Sequence, residues 1–191
     1  MTITILTHDD RWKGLGPTVK RAVEAALMVE AGAVVPLPSR ERLGEGVLKL
    51  SAQLSSPLTL TLSRKGRGDA ARAALGGLAV TVLLSSDAEV KNLNAQYRGK
   101  NKPTNVLSFT NGEVEEGVTQ LGDIALAYET IAREAEQQGK RLKHHISHLS
   151  GRGVLHLLGY DHEDDAEAKA MEKQEIAILA RMGIANPYES D

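Results

Sequence analysis

Apolar and polar positions set out an alternating order of strands and helices. Ile3 and Ile5 alternate with threonines, the period of a strand. From about Pro17 the period lengthens. Val19, Ala22, Val23, Ala26 and Leu27 recur at i, i+3 and i+4, which predicts a helix. Residues 32 to 77 hold Pro36, Pro38, Pro57 and several glycines. There Leu58, Leu60 and Leu62 alternate with Thr59 and Thr61 as a strand would, and the rest reads as loop or a small helical insertion. Leu78 to Leu84 is rich in β-formers, and Ser85-Ser86-Asp87 reads as the cap of a helix that buries Val90, Leu93, Asn94 and Tyr97.

A loop from Arg98 to Thr104 leads to a strand from Asn105 to Phe109. Asn111-Gly112 then reads as the start of an acidic loop with Glu113, Glu115 and Glu116, followed by a strand from Gln120 to Ala127. Helices are expected at about 129–138, 143–158 and 164–182. Asp164 or Asp165 caps the last, with Met171, Ile178, Leu179 and Met182 facing inward. The fold class this predicts is α/β (α+β): one mixed sheet packed against several helices, with the 143–158 helix central. A chain of 191 residues fits one domain over 1–191, with an insertion at about 32–77.

That central helix carries the chemistry. Five of the six histidines fall between His144 and His162. Ile146, Leu149, Val154, Leu155, Leu157 and Leu158 form its apolar side, and Gly159 is placed to turn the chain out of the helix. Positions 152 and 156 are one turn apart on one face, and after the turn His162 can approach them. Counted from 152, the offsets 0, 4, 7 (the glycine) and 10 are those with which metzincin proteases gather three imidazoles on zinc. Gly153 stands where their general-base glutamate would be, which argues against peptide hydrolysis. The first position is Arg152, a permanent cation with no lone pair to give a metal. His148 lies roughly 12 Å of helix rise from His156, too far to share an ion without unwinding. Asp161 or Glu163 could offer an oxygen.

Gly153-x-Leu-His156-Leu-x-Gly159-Tyr160-Asp161-His162 resembles the signature of the YbeY family, H-G-x-L-H-L-x-G-Y-D-H. Two further blocks occur in family order: Tyr97 to Phe109, and Leu121-Gly122-Asp123-Ile124. The resemblance runs from about Leu78 onward, with a weaker match at the start. It implies a single-strand-specific, zinc-dependent endoribonuclease. Such enzymes mature the 3′ end of small-subunit ribosomal RNA and act in ribosome quality control. It also implies His156 and His162 as ligands of one Zn2+, Arg152 in place of the third, and Arg98 as a catalytic residue that stabilises charge on phosphate oxygens. The partners implied are ribosomal RNA and the small ribosomal subunit. Family members are shorter across 32–77, so variation rather than chemistry is expected there.

Beside these residues, Lys100 and Lys102 read as RNA contacts. Asp161 reads as an oxygen acceptor behind a ligating imidazole, Asp123 as holding a strand-to-helix turn, and His144, His145 and His148 as solvated or core polar groups. Arg152 is open to three readings: a one-base change from histidine, a natural member working without tightly held zinc, or a phosphate contact. Weakened or absent metal binding is the expectation. The alternative function is a metal-free RNA-binding ribosome-assembly factor without nuclease activity.

Charge changes the picture modestly. The net charge is −2. Residues 161–191 hold 9 of the 25 Asp/Glu and 3 of the 23 Lys/Arg, so the first 160 hold 16 acidic and 20 basic groups. Arg64-Lys65-Gly-Arg67 and Lys140-Arg141-Leu-Lys143 are further basic clusters, the first read as solvated surface. Aromatic residues are 3% of the chain, too few for a broad base-stacking platform. Cysteine is absent, which excludes disulfides and thiolate metal sites. No apolar run is long enough to span a bilayer and the start lacks a signal-peptide pattern, so a soluble, cytoplasmic protein without a membrane partner is expected.

Overall fold

The computed structural model describes residues 1–32, 58–60, 77–162 and 164–189. Most of the 32–77 insertion, including Arg64, Lys65 and Arg67, lies outside these, as does Glu163. Strands β1 (Thr2–Thr7), β2 (Leu58–Leu60), β3 (Leu78–Ser85), β4 (Val106–Glu115) and β5 (Val118–Ala127) form one sheet in the order β2-β1-β3-β5-β4 among the described residues. The β1–β3 and β3–β5 pairs are parallel, and the two edge strands run antiparallel. The helices are α1 (Gly16–Gly32), α2 (Asp87–Arg98), α3 (Tyr128–Gln137), α4 (Leu142–Leu157) and α5 (Asp165–Arg181). This is the mixed α/β fold expected, and no helix among the described residues is long and apolar enough to cross a membrane.

Strand alternation sorts the core onto the two faces of the sheet. Val82 and Leu84 face the large core shared with Val19 and Val23 of α1, Ile146 and Leu155 of α4 and Ile178 of α5. Leu83, Leu107 and Phe109 face the smaller cluster under Val90, Leu93 and Tyr97 of α2. Helix α4 is buried on most sides, and Ile146, Val154, Leu155 and Leu157 expose no surface. Burying four such side chains contributes roughly 6–12 kcal/mol as an upper bound. That outweighs the roughly 1 kcal/mol each of Gly151 and Gly153 within the helix, so α4 runs unbroken past both.

Two expectations are corrected. Asn111-Gly112 does not begin a loop. β4 continues through Glu115, with a bulge between Thr110 and Glu113 where Gly112 takes φ 71°. The reversal comes at Glu116 and Gly117, φ 51° and 79°, a two-residue turn whose positive φ values match the twist of a hairpin. Asp123 does not hold a strand-to-helix turn. It lies inside β5, in register with Phe109 of β4 and Thr81 of β3, and is buried. The turn into α3 falls at Ala127 instead.

Candidate metal centre

The end of α4 builds the cluster. Gly159 adopts φ 89°, Gly159 N–H donates to the His156 carbonyl, and Tyr160 N–H donates back to the Leu155 carbonyl at 3.0 Å. These are the two bonds of a Schellman ending. They reverse the chain so that Tyr160, Asp161 and His162 return beside His156. The His156 and His162 ring centroids lie 5.4 Å apart, and one donor atom each from His156, Asp161 and His162 lie within 4.8 Å of one another.

His156 Nδ1 lies 3.0 Å from the Tyr160 carbonyl. A carbonyl only accepts, so Nδ1 carries the proton and Nε2 keeps its lone pair. Burial, reinforced by the Arg152 charge, holds the His156 pKa below the ordinary imidazole value despite the opposing Tyr160 carbonyl and Asp161. The ring is thus neutral at neutral pH, the form that binds a metal. Asp161 and His162 are exposed. Asp161 Oδ1 accepts from the His162 backbone N–H at 2.8 Å and stands 3.4 Å from His162 Nδ1. The donor set, two imidazoles and a carboxylate, suits a divalent ion, and the exposed pair has rotamer freedom to close on one.

Arg152 points its charge elsewhere. Its Nη1 donates to Oε1 of Glu175 on α5 at 3.2 Å. Glu175 Oε2 accepts from His148 Nε2 at 2.6 Å and from the Tyr188 hydroxyl. Burial pushes the Glu175 carboxyl up, but the hydrogen bonds from His148 and Tyr188 and the charges of His148 and Arg152 prevail and hold it below the ordinary glutamate value. What stands beside the imidazoles is therefore a compensated ion pair. His148 is tied to Glu175 rather than to the His156 cluster. His145 is buried against Glu134 at 3.0 Å, while His144 is half-buried.

Gly153 has a packing reason. A Cβ there would meet Ile124 Cγ2 at 3.0 Å, so the position that a metzincin gives to glutamate is pressed against the sheet. A Cβ at Gly151 would likewise meet Ile178 at 3.2 Å. The Ser108 hydroxyl of β4 donates to the Gly153 carbonyl, and the Ser108 carbonyl accepts from Arg98 Nη2 at 3.2 Å. Ser108 thus links Arg98 to the helix that carries His156. Arg98, Lys100 and Lys102 line a cleft of about 410 Å³ with Asn94, Arg133 and Glu134. Asn94 Nδ2 donates to the Lys102 carbonyl at 2.7 Å and fixes the loop.

Residues 62–183 match the family described as Endoribonuclease YbeY. The chain belongs to the YbeY family. An endoribonuclease YbeY from Rhodopseudomonas palustris is 48% identical over 141 residues, covering 72% of this chain and 74% of the relative. One from a second strain of that species is 51% identical over 122 residues, covering 59% and 63%. A relative of the same name from Alteromonas mediterranea is 51% identical over 114 residues, covering 59% and 72%. Among solved structures, TM1509 from Thermotoga maritima overlays 99% of this chain and 97% of its own with a TM-score of 0.47 and 19% identity. YbeY membership thus rests on sequence, and the relatives carry the name of an endoribonuclease.

Glu175, Tyr188, Glu30 and Arg133 were not found by sequence reasoning. Glu175 left a trace: it interrupts the inward stripe of α5 between Met171 and Ile178 at i, i+4 and i+7 spacing. Arg133 left none, because its place beside Arg98 depends on how α3 docks.

Proposed function

We propose that this chain is a single-strand-specific, metal-dependent endoribonuclease that matures the 3′ end of small-subunit ribosomal RNA and serves ribosome quality control in the cytoplasm. The observation that carries the reading is the convergence of His156, Asp161 and His162, with His156 Nε2 left as an acceptor. These three residues would hold one Zn2+, Asp161 acting as an oxygen ligand where Arg152 cannot. Zinc bound there would supply Lewis-acid stabilisation of charge on a phosphodiester and make water more acidic. The chain's own residues do the rest. Arg98 offers phosphate oxygens the guanidinium donors that the Ser108 carbonyl does not take. Lys100, Lys102 and Arg133 hold the backbone of the strand in the basic cleft. Glu175 pairs with the Arg152 guanidinium and partly offsets its charge beside His156.

One observation favours a second reading, a metal-free assembly factor that binds ribosomal RNA without cutting it: the third imidazole of the family pattern is absent. The deciding experiment uses the whole chain and a single-stranded RNA carrying the 3′ region of small-subunit rRNA. Cleavage that EDTA abolishes, zinc restores and His156→Ala removes supports the nuclease. Salt-dependent binding with no cleavage under any metal condition establishes the assembly factor instead.

A further inference from the structure

Helix α1 sends one charged side chain into the interior. Glu30 is 5% exposed, and its Oε1 has no hydrogen-bond partner among the described residues. Its Oε2 accepts from the Tyr160 hydroxyl at 3.0 Å, across 130 positions of sequence. Tyr160 is the residue whose carbonyl fixes the His156 ring and whose N–H closes the α4 ending. Tyr160 is therefore held at its backbone by the helix end and at its hydroxyl by Glu30, with Gln174 also hydrogen-bonded there. Burial raises the Glu30 pKa above the ordinary glutamate value. A glutamate that resists ionisation in the folded state lowers stability once the pH exceeds its unfolded value. For folding alone, an apolar side chain would serve better at position 30.

We infer that Glu30 is a positioning residue for the metal centre: by anchoring the Tyr160 hydroxyl it holds the Tyr160 carbonyl against His156 Nδ1 and keeps Nε2 free to bind a metal. The inference rests on the metal-site reading above and can be tested apart from it. Outer partners of a ligating imidazole change metal affinity by roughly 10–100-fold.

The experiment compares the parent chain with Glu30→Leu, Glu30→Gln and Tyr160→Phe. Co2+ affinity is read by absorbance titration. The His156 tautomer is read by 15N NMR at pH 8 without metal. The expected result is a loss of Co2+ affinity of at least about tenfold in Glu30→Leu and Tyr160→Phe, with His156 losing its Nδ1 proton preference. Glu30→Gln, which keeps an acceptor oxygen, retains both. The Tm of Glu30→Leu equals or exceeds the parent's, so affinity and stability move in opposite directions. An unchanged His156 tautomer in Glu30→Leu overturns the inference, as does a Glu30→Gln variant that behaves like Glu30→Leu. If the parent binds no Co2+, the metal reading fails and the tautomer alone decides this one.

Discussion

Replacing Glu175 with glutamine tests how Arg152 is accommodated. The Glu175 side chain is 0% exposed and that of Arg152 is 27% exposed. Removing one partner of a fully buried pair costs about 3–5 kcal/mol, because the other charge is left uncompensated. Arg152 has an outlet to solvent, which lowers the figure. Glutamine keeps the shape and can still accept from Tyr188. We therefore expect a loss of about 2–3 kcal/mol, or roughly 4–12 °C in Tm for a chain of this size. Urea unfolding at pH 7.5 measures it, and a cycle with Arg152→Gln isolates the pair. Both partners share one contact, so a coupling of at least about 1 kcal/mol is expected. A loss below about 0.5 kcal/mol, or strictly additive variants, would refute the view that the guanidinium is held by this carboxylate.

Arg152→His removes a cation and adds an imidazole one turn from His156. Zn2+ affinity in a chelator-competition titration should rise at least about tenfold, and an unchanged affinity would show that Arg152 does not limit binding. Gly153→Ala sets a Cβ 3.0 Å from Ile124, so overpacking should cost about 1–3 kcal/mol in urea unfolding; a neutral result would mean that the Ile124 side chain gives way. Acid should destabilise the fold in two steps. Burial holds His145 below its ordinary value of 6.5 despite Glu134, so the unfolded chain binds the proton first, and its contribution is lost as pH falls below about 6.5. Glu175, held below 4.5, loses its contribution as pH falls below that value. Tm measured from about pH 8 to about pH 2 should show both, and His145→Gln should reduce the first, leaving the part contributed by His156. Lys102→Ala should weaken RNA binding and reduce the salt slope by about one; an unchanged slope would remove Lys102 from the phosphate contacts.

The fold was legible where one physical signal dominated. Period-two alternation marked β1, a run of β-formers marked β3, and the stripe from Ile146 to Leu158 marked α4. Ser86 and Asp164 cap α2 and α5 through their side-chain oxygens, as their positions suggested. Asn111-Gly112 misled because the same dipeptide serves a hairpin turn and a bulge, and only the pairing of β4 with β5 decides between them. The His156–His162 approach was legible because a single local device, the Gly159 turn, creates it. What lay beyond reach was each partner contributed by a distant element. Glu175 of α5 meets Arg152, Glu30 of α1 meets Tyr160, and Arg133 of α3 lines the Arg98 cleft only after the helices dock. For the same reason the charge on Arg152 had no visible answer in the sequence.

The Glu175 carboxylate explains why position 152 can hold an arginine at all. Its two oxygens have different duties. Oε2 takes His148 and Tyr188, both supplied by the surrounding fold. Oε1 takes Arg152. A buried carboxylate oxygen without a donor is costly, so the site requires an N–H from position 152 whatever residue stands there. Guanidinium meets that requirement, and an imidazole would meet it only where its shorter side chain still reached Glu175. The two differ in what remains: an imidazole that donates through one nitrogen keeps a lone pair on the other, whereas a guanidinium has none to offer. An exchange in which the imidazole kept that bond would preserve the buried network while changing the donor set beside His156. An Arg152→His variant that keeps the parent's Tm while its Zn2+ affinity rises would show that folding and metal binding are separable at this position; a variant that loses stability would show that the α5 carboxylate does not accept the exchange.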